Sequence, residues 1–271
     1  RALWCAECRR SLRCPVCESG LSFDLAPRRV RCGRCGFSAA APDVCPTCGA
    51  SNWRRVGAGS ERLADQLQKM FPRASVARAD PETLQAGELP PTDRDVYVTT
   101  WIGTKPTIRP EVSLVGVLDA DALIRRSDFR AAESAYEALV EMAAWAGAGG
   151  RLVVQSAESM HHAIQAVVRA DYSYFLRHEL ADRTELGYPP AAELVRVTAD
   201  GPRARVALEA AAAASRGAGG HVLGPIPLRA PRAGLEILVK CPDAFEVASA
   251  LRGILAAGPG GATLRVDVDP R

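Results

Sequence analysis

No stretch of the sequence holds the roughly 18 consecutive apolar residues that a membrane-spanning helix needs, so no segment is expected to cross a bilayer. The opening residues, RALWCAEC, have neither the apolar centre nor the cleavage site of a secretory leader. The abrupt start at Arg1 reads as that of a fragment of a longer protein. No Gly-x-x-x-x-Gly-Lys-Ser/Thr loop occurs anywhere, which leaves no standard cradle for a triphosphate. Aromatic residues are scarce at 6%, and a net charge of +3 argues only weakly for a polyanionic partner. What the chain does have is 271 residues that are 48% hydrophobic, enough for two or three small cores. Its abundant Ala, Gly, Pro and Arg read as the composition of a GC-rich genome, with no function attached.

Cysteine is the exception to this plainness. Eight of the nine cysteines fall within the first 48 residues, as Cys5-x-x-Cys8, Cys14-x-x-Cys17, Cys32-x-x-Cys35 and Cys45-x-x-Cys48. A two-residue gap lets both thiolates of a pair point at one ion, and two such pairs complete a closed tetrahedral zinc site. A disulfide scaffold is the rival, but this spacing favours metal. Catalytic zinc is disfavoured too, because no position is left open for water and no histidine stands in the set. Gly36 and Gly49 follow the second cysteine of their pairs, where a positive φ turns backbone amides toward sulfur. The segment between Glu18 and Arg31 reads as a β-hairpin, which favours Cys14, Cys17, Cys32 and Cys35 on one ion and Cys5, Cys8, Cys45 and Cys48 on the other. Sequential and cross-braced pairings stay open. Residues 1–57 also hold ten arginines against four acids, an excess that two Zn(Cys)₄ centres reduce to about +2. Arg9, Arg10, Arg13, Arg28, Arg29, Arg31 and Arg34 either face phosphates or simply offset thiolate charge.

Beyond Gly57 the pattern alternates. An amphipathic helix is expected over 61–71, with Leu63, Leu67, Met70 and Phe71 on one face, Ser60 as its cap and Pro72 as its stop. Strands are expected at 75–78, 95–99, 113–118 and 151–155, a long helix at 130–146, and a loop at 84–94. Strands alternating with helices imply a parallel sheet covered on both faces. Residues 161–190 are helical in pattern. His161, His162 and His178 lie there as packing or surface residues, and Tyr188-Pro-Pro190 closes the segment.

Several motifs resemble the second helicase lobe of the PriA family (primosomal protein N′, replication restart). They are the Gly57-Ala-Gly-Ser-Glu61 turn, the helix ending in Phe71-Pro72, Val115-Gly-Val-Leu-Asp-Ala-Asp121, and Ser127-Asp-Phe-Arg-Ala-Ala-Glu133. The resemblance implies a RecA-like lobe carrying a double zinc-ribbon insertion, and it covers the whole chain, taken as the C-terminal portion of a member. The departures are as informative. The family's Gly-Thr-Gln…Lys-Gly motif reads Thr99-Thr100-Trp101…Lys105-Pro106, and its Gln-x-x-Gly-Arg-x-Gly-Arg motif reads Glu141 to Ala148 with Trp145 and Ala148 in place of the arginines. An arginine on the transferring phosphoryl group contributes ~10³–10⁵-fold in rate, and neither Trp nor Ala replaces it. A degenerate member of actinobacterial type, without ATP hydrolysis, is expected. The alternative is an ATP-dependent 3′-to-5′ DNA helicase completed by a first lobe.

The last third reads as strand (193–199), helix (203–216), strand (221–224), strand (235–240), helix (243–256) and strand (263–269), a βαββαβ order of ferredoxin-like type. It resembles the family's C-terminal domain, which implies contacts with branched DNA and with single-stranded-DNA-binding protein. The expected domains are 1–57, 58–176 and 177–271. Arg229, Arg232 and Lys240, with Arg29 and Arg31, are the candidate phosphate contacts, and solvated faces are the plain alternative. Asp267 and Asp269 read as structural, and Cys241 as a buried thiol. The function expected is that of a cytoplasmic, nucleoid-associated restart protein that carries two structural zinc ions, recognises forks and recruits primosome or helicase-loading proteins. A zinc-ribbon protein that binds only other proteins is the third reading.

Overall fold

The structure, a computed structural model, describes residues 2–24, 27–33, 35–56, 59–80, 83, 91, 93–100, 111–126, 128–228, 234–257 and 260–270. It divides into two compact units, one made of Arg1–Val56 with Leu180–Arg271, the other of Gly57–Glu179.

The N-terminal segment is built from short strands and turns: β1 (Ala2–Cys5), β2 (Leu21–Asp24), β3 (Arg29–Cys32), β4 (Ser38–Ala40) and β5 (Trp53–Val56). The hairpin expected between the second and third cysteine pairs is β2–β3, with Phe23 opposite Val30. Leu21 and Phe23 alternate inward against Val30 and Cys32, while Ser22, Arg29 and Arg31 stay exposed, as the period of two requires. Two further pairings had no readable pattern: β4 extends the hairpin to three strands, and β1 pairs antiparallel with β5. In strands of three or four residues, periodicity carries almost no signal.

The second unit holds α1 (Ser60–Met70), β6 (Val76–Ala79), β7 (Val96–Thr99), β8 (Val112–Val117), α2 (Asp121–Ile124), α3 (Ala131–Ala143) and β9 (Ala146–Val154). It continues through α4 (His162–Arg169) into α5 (Tyr172–Leu186), within which the second unit ends at Glu179. Among the described residues the parallel strands form two separate pairs, β6 with β7 and β8 with β9, and not the single covered sheet expected. Leu139 and Ala135 of α3 pack with Ile164 of α4 and Leu123 and Ile124 of α2. Three boundaries moved, each for a local reason. Ser60 does not cap α1, because its hydroxyl donates to the buried carboxylate of Asp80, and Gly59 takes the cap position. The helix expected to reach residue 146 stops at Ala143, since Gly147, Gly149 (φ +81) and Gly150 are poor helix formers and disfavour its continuation. The pattern over 161–190 breaks at Ala170, which adopts φ +51 and lets the Asp171 carboxylate accept the Tyr174 N–H at 2.8 Å to start α5. The Gly57-Ala58 half of the expected turn, most of the expected loop at 84–94, and Trp101 through Pro106 lie outside the described residues.

The C-terminal segment follows the sequence pattern closely: β10 (Glu193–Asp200), α6 (Ala204–Gly217), β11 (His221–Pro227), β12 (Leu235–Cys241), α7 (Ala244–Ala257) and β13 (Thr263–Val268). The sheet runs β11-β12-β10-β13 with every neighbour antiparallel. Val195, Val197, Ile237 and Val239 point to the face covered by Leu208 and Ala211 of α6 and by Val247 and Leu251 of α7. Each such aliphatic side chain contributes roughly 1.5–3 kcal/mol on burial. The opposite face carries Arg196 and Asp267, ion-paired across β10 and β13. A bulge in β11 turns on Gly224 (φ +105), where an added Cβ would meet the Glu236 carbonyl oxygen at 2.9 Å.

Candidate metal centres

The four Cys-x-x-Cys turns share one geometry. The carbonyl of each first cysteine accepts the N–H of the residue after the second: Arg9 to Cys5 (3.0 Å), Glu18 to Cys14 (2.9 Å), Gly36 to Cys32 (3.0 Å) and Gly49 to Cys45 (2.8 Å). Each first cysteine in turn donates its own N–H five residues on, to Arg10, Ser19, Phe37 and Ala50. The residue after the second cysteine takes positive φ in all four: 55° at Arg9, 57° at Glu18 and 75° at both Gly36 and Gly49. Glycine marks two of these positions in the sequence; Arg9 and Glu18 bear the same strain without that signal.

These turns bring the thiols together in two groups, Cys5, Cys8, Cys45 and Cys48 in one, Cys14, Cys17, Cys32 and Cys35 in the other, all sulfurs of a group within 4.8 Å of one another. The pairing is nested: the hairpin closes the inner group and the two ends of the module close the outer. Cys5 and Cys48 stand 3.5 Å apart, Cys8 and Cys45 3.8 Å, Cys14 and Cys35 3.5 Å, and Cys17 and Cys32 3.4 Å. Four sulfurs each about 2.3 Å from a common ion would be separated by ~3.8 Å, whereas a disulfide needs ~2.05 Å. The residues fit a tetrathiolate metal site and not a disulfide.

Electrostatics within each group points the same way. Desolvation pushes the Cys8 thiol up to about 12, with the Arg10 N–H offsetting only part of it. At Cys45 desolvation also opposes ionisation, but hydrogen bonds from the Thr47 and Cys48 N–H groups, together with those from the Cys48 and Cys8 thiols, outweigh it and hold the thiol down to about 6. The inner group divides in the same way. Desolvation drives Cys35 up to about 12, while at Cys17 the backbone and hydroxyl of Ser19, together with hydrogen bonds from the Cys32 and Cys35 thiols, prevail over it and lower the thiol to about 7. One thiolate forms at its neighbours' expense. A divalent cation at the centre removes that penalty and lets all four sulfurs ionise, with loss of protons to solvent.

The cationic candidates are scattered. Arg31 is ion-paired with Asp24 at 3.1 Å, and Arg29 directs Nε and Nη2 at the Ser38 hydroxyl, each 3.3 Å away. Both are exposed, on the outer face of the three-stranded sheet. Lys240 donates to the Leu186 carbonyl at 2.7 Å, and its ammonium lies 3.7 Å from the Tyr188 ring centroid, a cation–π contact that holds it against its own chain. Arg229, Arg232 and Arg34 lie outside the described residues. Trp145 is 6% exposed, and Ala148 is exposed.

Two features carried no sequence signal. The His162 Nε2 stands 2.9 Å from a carboxylate oxygen of the buried Glu179, and the His162 ring stacks beside His161 and Phe175. His162 is therefore a packing residue of the α4–α5 junction, and its partner lies seventeen residues away, beyond any local pattern. Asp80, 1% exposed, gathers Ser60, Thr83 and both Nε and Nη2 of Arg78. No helix of the described residues is long and apolar enough to cross a membrane.

Comparison with known proteins places this architecture. Residues 184–271 match the model of the primosomal protein N C-terminal domain. The chain is 33% identical over 287 residues to the probable replication restart protein PriA of Deinococcus radiodurans, covering 99% of this chain and 30% of that one. It is 30% identical to the PriA proteins of Synechocystis (98% and 35% covered) and Treponema pallidum (98% and 44%). The chain thus spans less than half the length of these curated relatives. With a C-terminal sheet that answers to the family's own domain and a likeness that runs through the cysteine-rich segment and the parallel strand pairs alike, the chain belongs to the PriA family of replication restart proteins.

Proposed function

We propose that the chain is the C-terminal portion of a replication restart protein that recognises forked DNA and recruits replication proteins without hydrolysing ATP. Its parts are a two-zinc module (1–57), a degenerate RecA-like second helicase lobe (58–176) and a ferredoxin-like C-terminal domain (177–271). The sheet order β11-β12-β10-β13, with α6 and α7 on one face, supports the last of these. The zinc ions, held by Cys5, Cys8, Cys45 and Cys48 and by Cys14, Cys17, Cys32 and Cys35, supply structural ties and no reaction chemistry. The protein acts in the cytoplasm, at the nucleoid, with forked DNA, single-stranded-DNA-binding protein and helicase-loading proteins as its partners.

The observation that carries the non-hydrolysing reading is Trp145. A residue that neutralises a transferring phosphoryl group must present a cation to it. Trp145 presents none and is buried at 6% exposure, while Ala148 has no side chain able to do so. DNA contact then rests on phosphates and shape, through Arg29 and Arg31 on the zinc sheet and through Arg229, Arg232 and Lys240 of the C-terminal domain. Lys240 must exchange its Leu186 and Tyr188 contacts to take part.

The test is binding of the full-length protein to forked and linear duplexes across a salt series, with ATP turnover assayed on the same samples. Fork preference, affinity falling steeply with salt and no hydrolysis are expected. Hydrolysis stimulated by DNA would instead make the protein a motor. Absence of DNA binding would leave only protein docking.

A further inference from the structure

The two cysteine groups share a turn geometry but not an environment. All four inner thiols belong to the hydrophobic core of the module: Cys14 and Cys32 are buried in it beside Leu12, Leu21, Phe23 and Val30, and Cys17 and Cys35 pack against it. None of the outer four joins that core, although Cys5 and Cys45 are themselves buried. Cys48 is exposed, and no thiol of the inner group is.

We propose that the outer group, Cys5, Cys8, Cys45 and Cys48, is a modification site that reacts with hydroperoxides and soft electrophiles, and that it gives up its zinc while the inner group keeps its own. The proposal rests on the reading that both groups hold zinc. Thiolate reactivity requires access as well as charge, and metal ligation supplies the charge equally to both groups. Access differs. A peroxide meets the exposed Cys48 first, whereas the inner group presents only the half-buried Cys17 and Cys35, packed against the core, and its Cys14 and Cys32 are reached only through a local opening of that core.

The chemistry balances with the hydroperoxide as the sole oxidant. The Cys48 thiolate attacks one oxygen; the O–O bond breaks, sulfur becomes a sulfenic acid, and hydroxide (or alkoxide, from an organic peroxide) leaves. A second thiolate of the group then displaces hydroxide from that sulfur and forms the disulfide. Cys5 is placed for this, its sulfur 3.5 Å from that of Cys48. Two sulfurs have together lost two electrons, the peroxide has gained them, and zinc leaves a site reduced to two thiolates. Because β1 begins the module, β5 ends it and Cys5 lies on β1, this loss loosens the ribbon by which the chain enters and leaves the module. The three-stranded sheet on the inner ion is untouched.

The experiment uses the full-length protein. Native mass measurement first counts the zinc bound; two ions are expected, and a protein without zinc overturns the zinc reading itself, apart from the site proposed. Hydrogen peroxide, and in parallel N-ethylmaleimide, is then added while a chromogenic chelator reports zinc release, and modified cysteines are located by peptide mapping. Release in two phases is expected, the first equivalent accompanied by modification of the outer four cysteines. The inner four should react at least about tenfold more slowly, a ratio equivalent to about 1.4 kcal/mol. A Cys48→Ser variant should retain one zinc and the module's fold, and Cys14→Ser should lose both. Release in a single phase with both groups modified alike, or modification of the inner group first, overturns the proposal.

Discussion

The cysteine-rich module and the C-terminal sheet are both small, yet they are held together by opposite means. Among the described residues the sheet buries thirteen in one cluster, from Val195 to Leu251, and that apolar core suffices for its six elements. Among the described residues the module's cluster has seven, two of them cysteines, which leaves a segment of this length marginal on burial alone. On the proposed reading, eight thiols and the zinc ions they would hold make up the difference. The same contrast sets what each part tolerates: the sheet depends on the shape of its interior, the module on the chemistry of a few atoms.

The strongest way to break the comparison is to remove the metal. Apparent affinities for structural zinc correspond to roughly 10–16 kcal/mol per site, which exceeds the stability of most small domains. With a strong chelator in excess at neutral pH, the amides of Val30 and Cys32 should lose their protection from hydrogen exchange, while those of Val197 and Val239 keep theirs. Lowering the pH should act in the same direction, because each ligand must lose a proton to bind and acid restores it. Exchange followed by mass spectrometry separates the two regions in one sample. Module amides that stay protected without metal would mean that the seven-residue cluster is sufficient after all.

The converse perturbation leaves the metal alone. Leu208 lies at the centre of the sheet's interior, 1% exposed on α6. Leu208→Ala should cost about 2–5 kcal/mol, the transfer term plus the cavity left behind. A denaturant titration followed by circular dichroism would show it, and the zinc content of the folded variant should match that of the parent. A cost well under 1 kcal/mol would mean that α6 relaxes into the space, and that the sheet is less tightly determined than its burial implies.

The two regions also differ in how much of them is legible from sequence. In the C-terminal segment, alternation such as Val195-x-Val197 and Ile237-x-Val239 assigns the inward face directly, and long helical runs leave no competing reading. In the module the ligands are legible because a two-residue gap has so few uses, but β1, β4 and β5 are too short to show a period. Between these regions the pattern gives the elements without their ends. Ser60 is a good cap by residue type, yet it serves the buried Asp80, a carboxylate twenty residues away that no local rule can weigh. The same holds for Lys240, which reads as an available cation on a strand and is found against Leu186 and Tyr188. Long-range polar partnership is what a linear pattern does not contain.

The smallest effect distinguishes residues within the module itself. Four turns share one backbone shape, but Arg9 and Glu18 adopt a positive φ that glycine adopts freely at Gly36 and Gly49. A side chain there is disfavoured by ~1–2 kcal/mol, and the added freedom of glycine in the unfolded chain returns part of that. Arg9→Gly should therefore tighten the outer site by about fivefold, equivalent to ~1 kcal/mol, and Glu18→Gly should do the same at the inner site. Gly49→Ala should weaken the outer site by a similar factor. That substitution isolates conformation from crowding, because an added Cβ at Gly49 meets no atom within 4 Å. Competition with a zinc chelator of known affinity reads all three. If Gly49→Ala weakens binding and Arg9→Gly leaves it unchanged, the Arg9 side chain must contribute to the fold as much as its strain removes, and the four turns, alike in geometry, are not alike in energy.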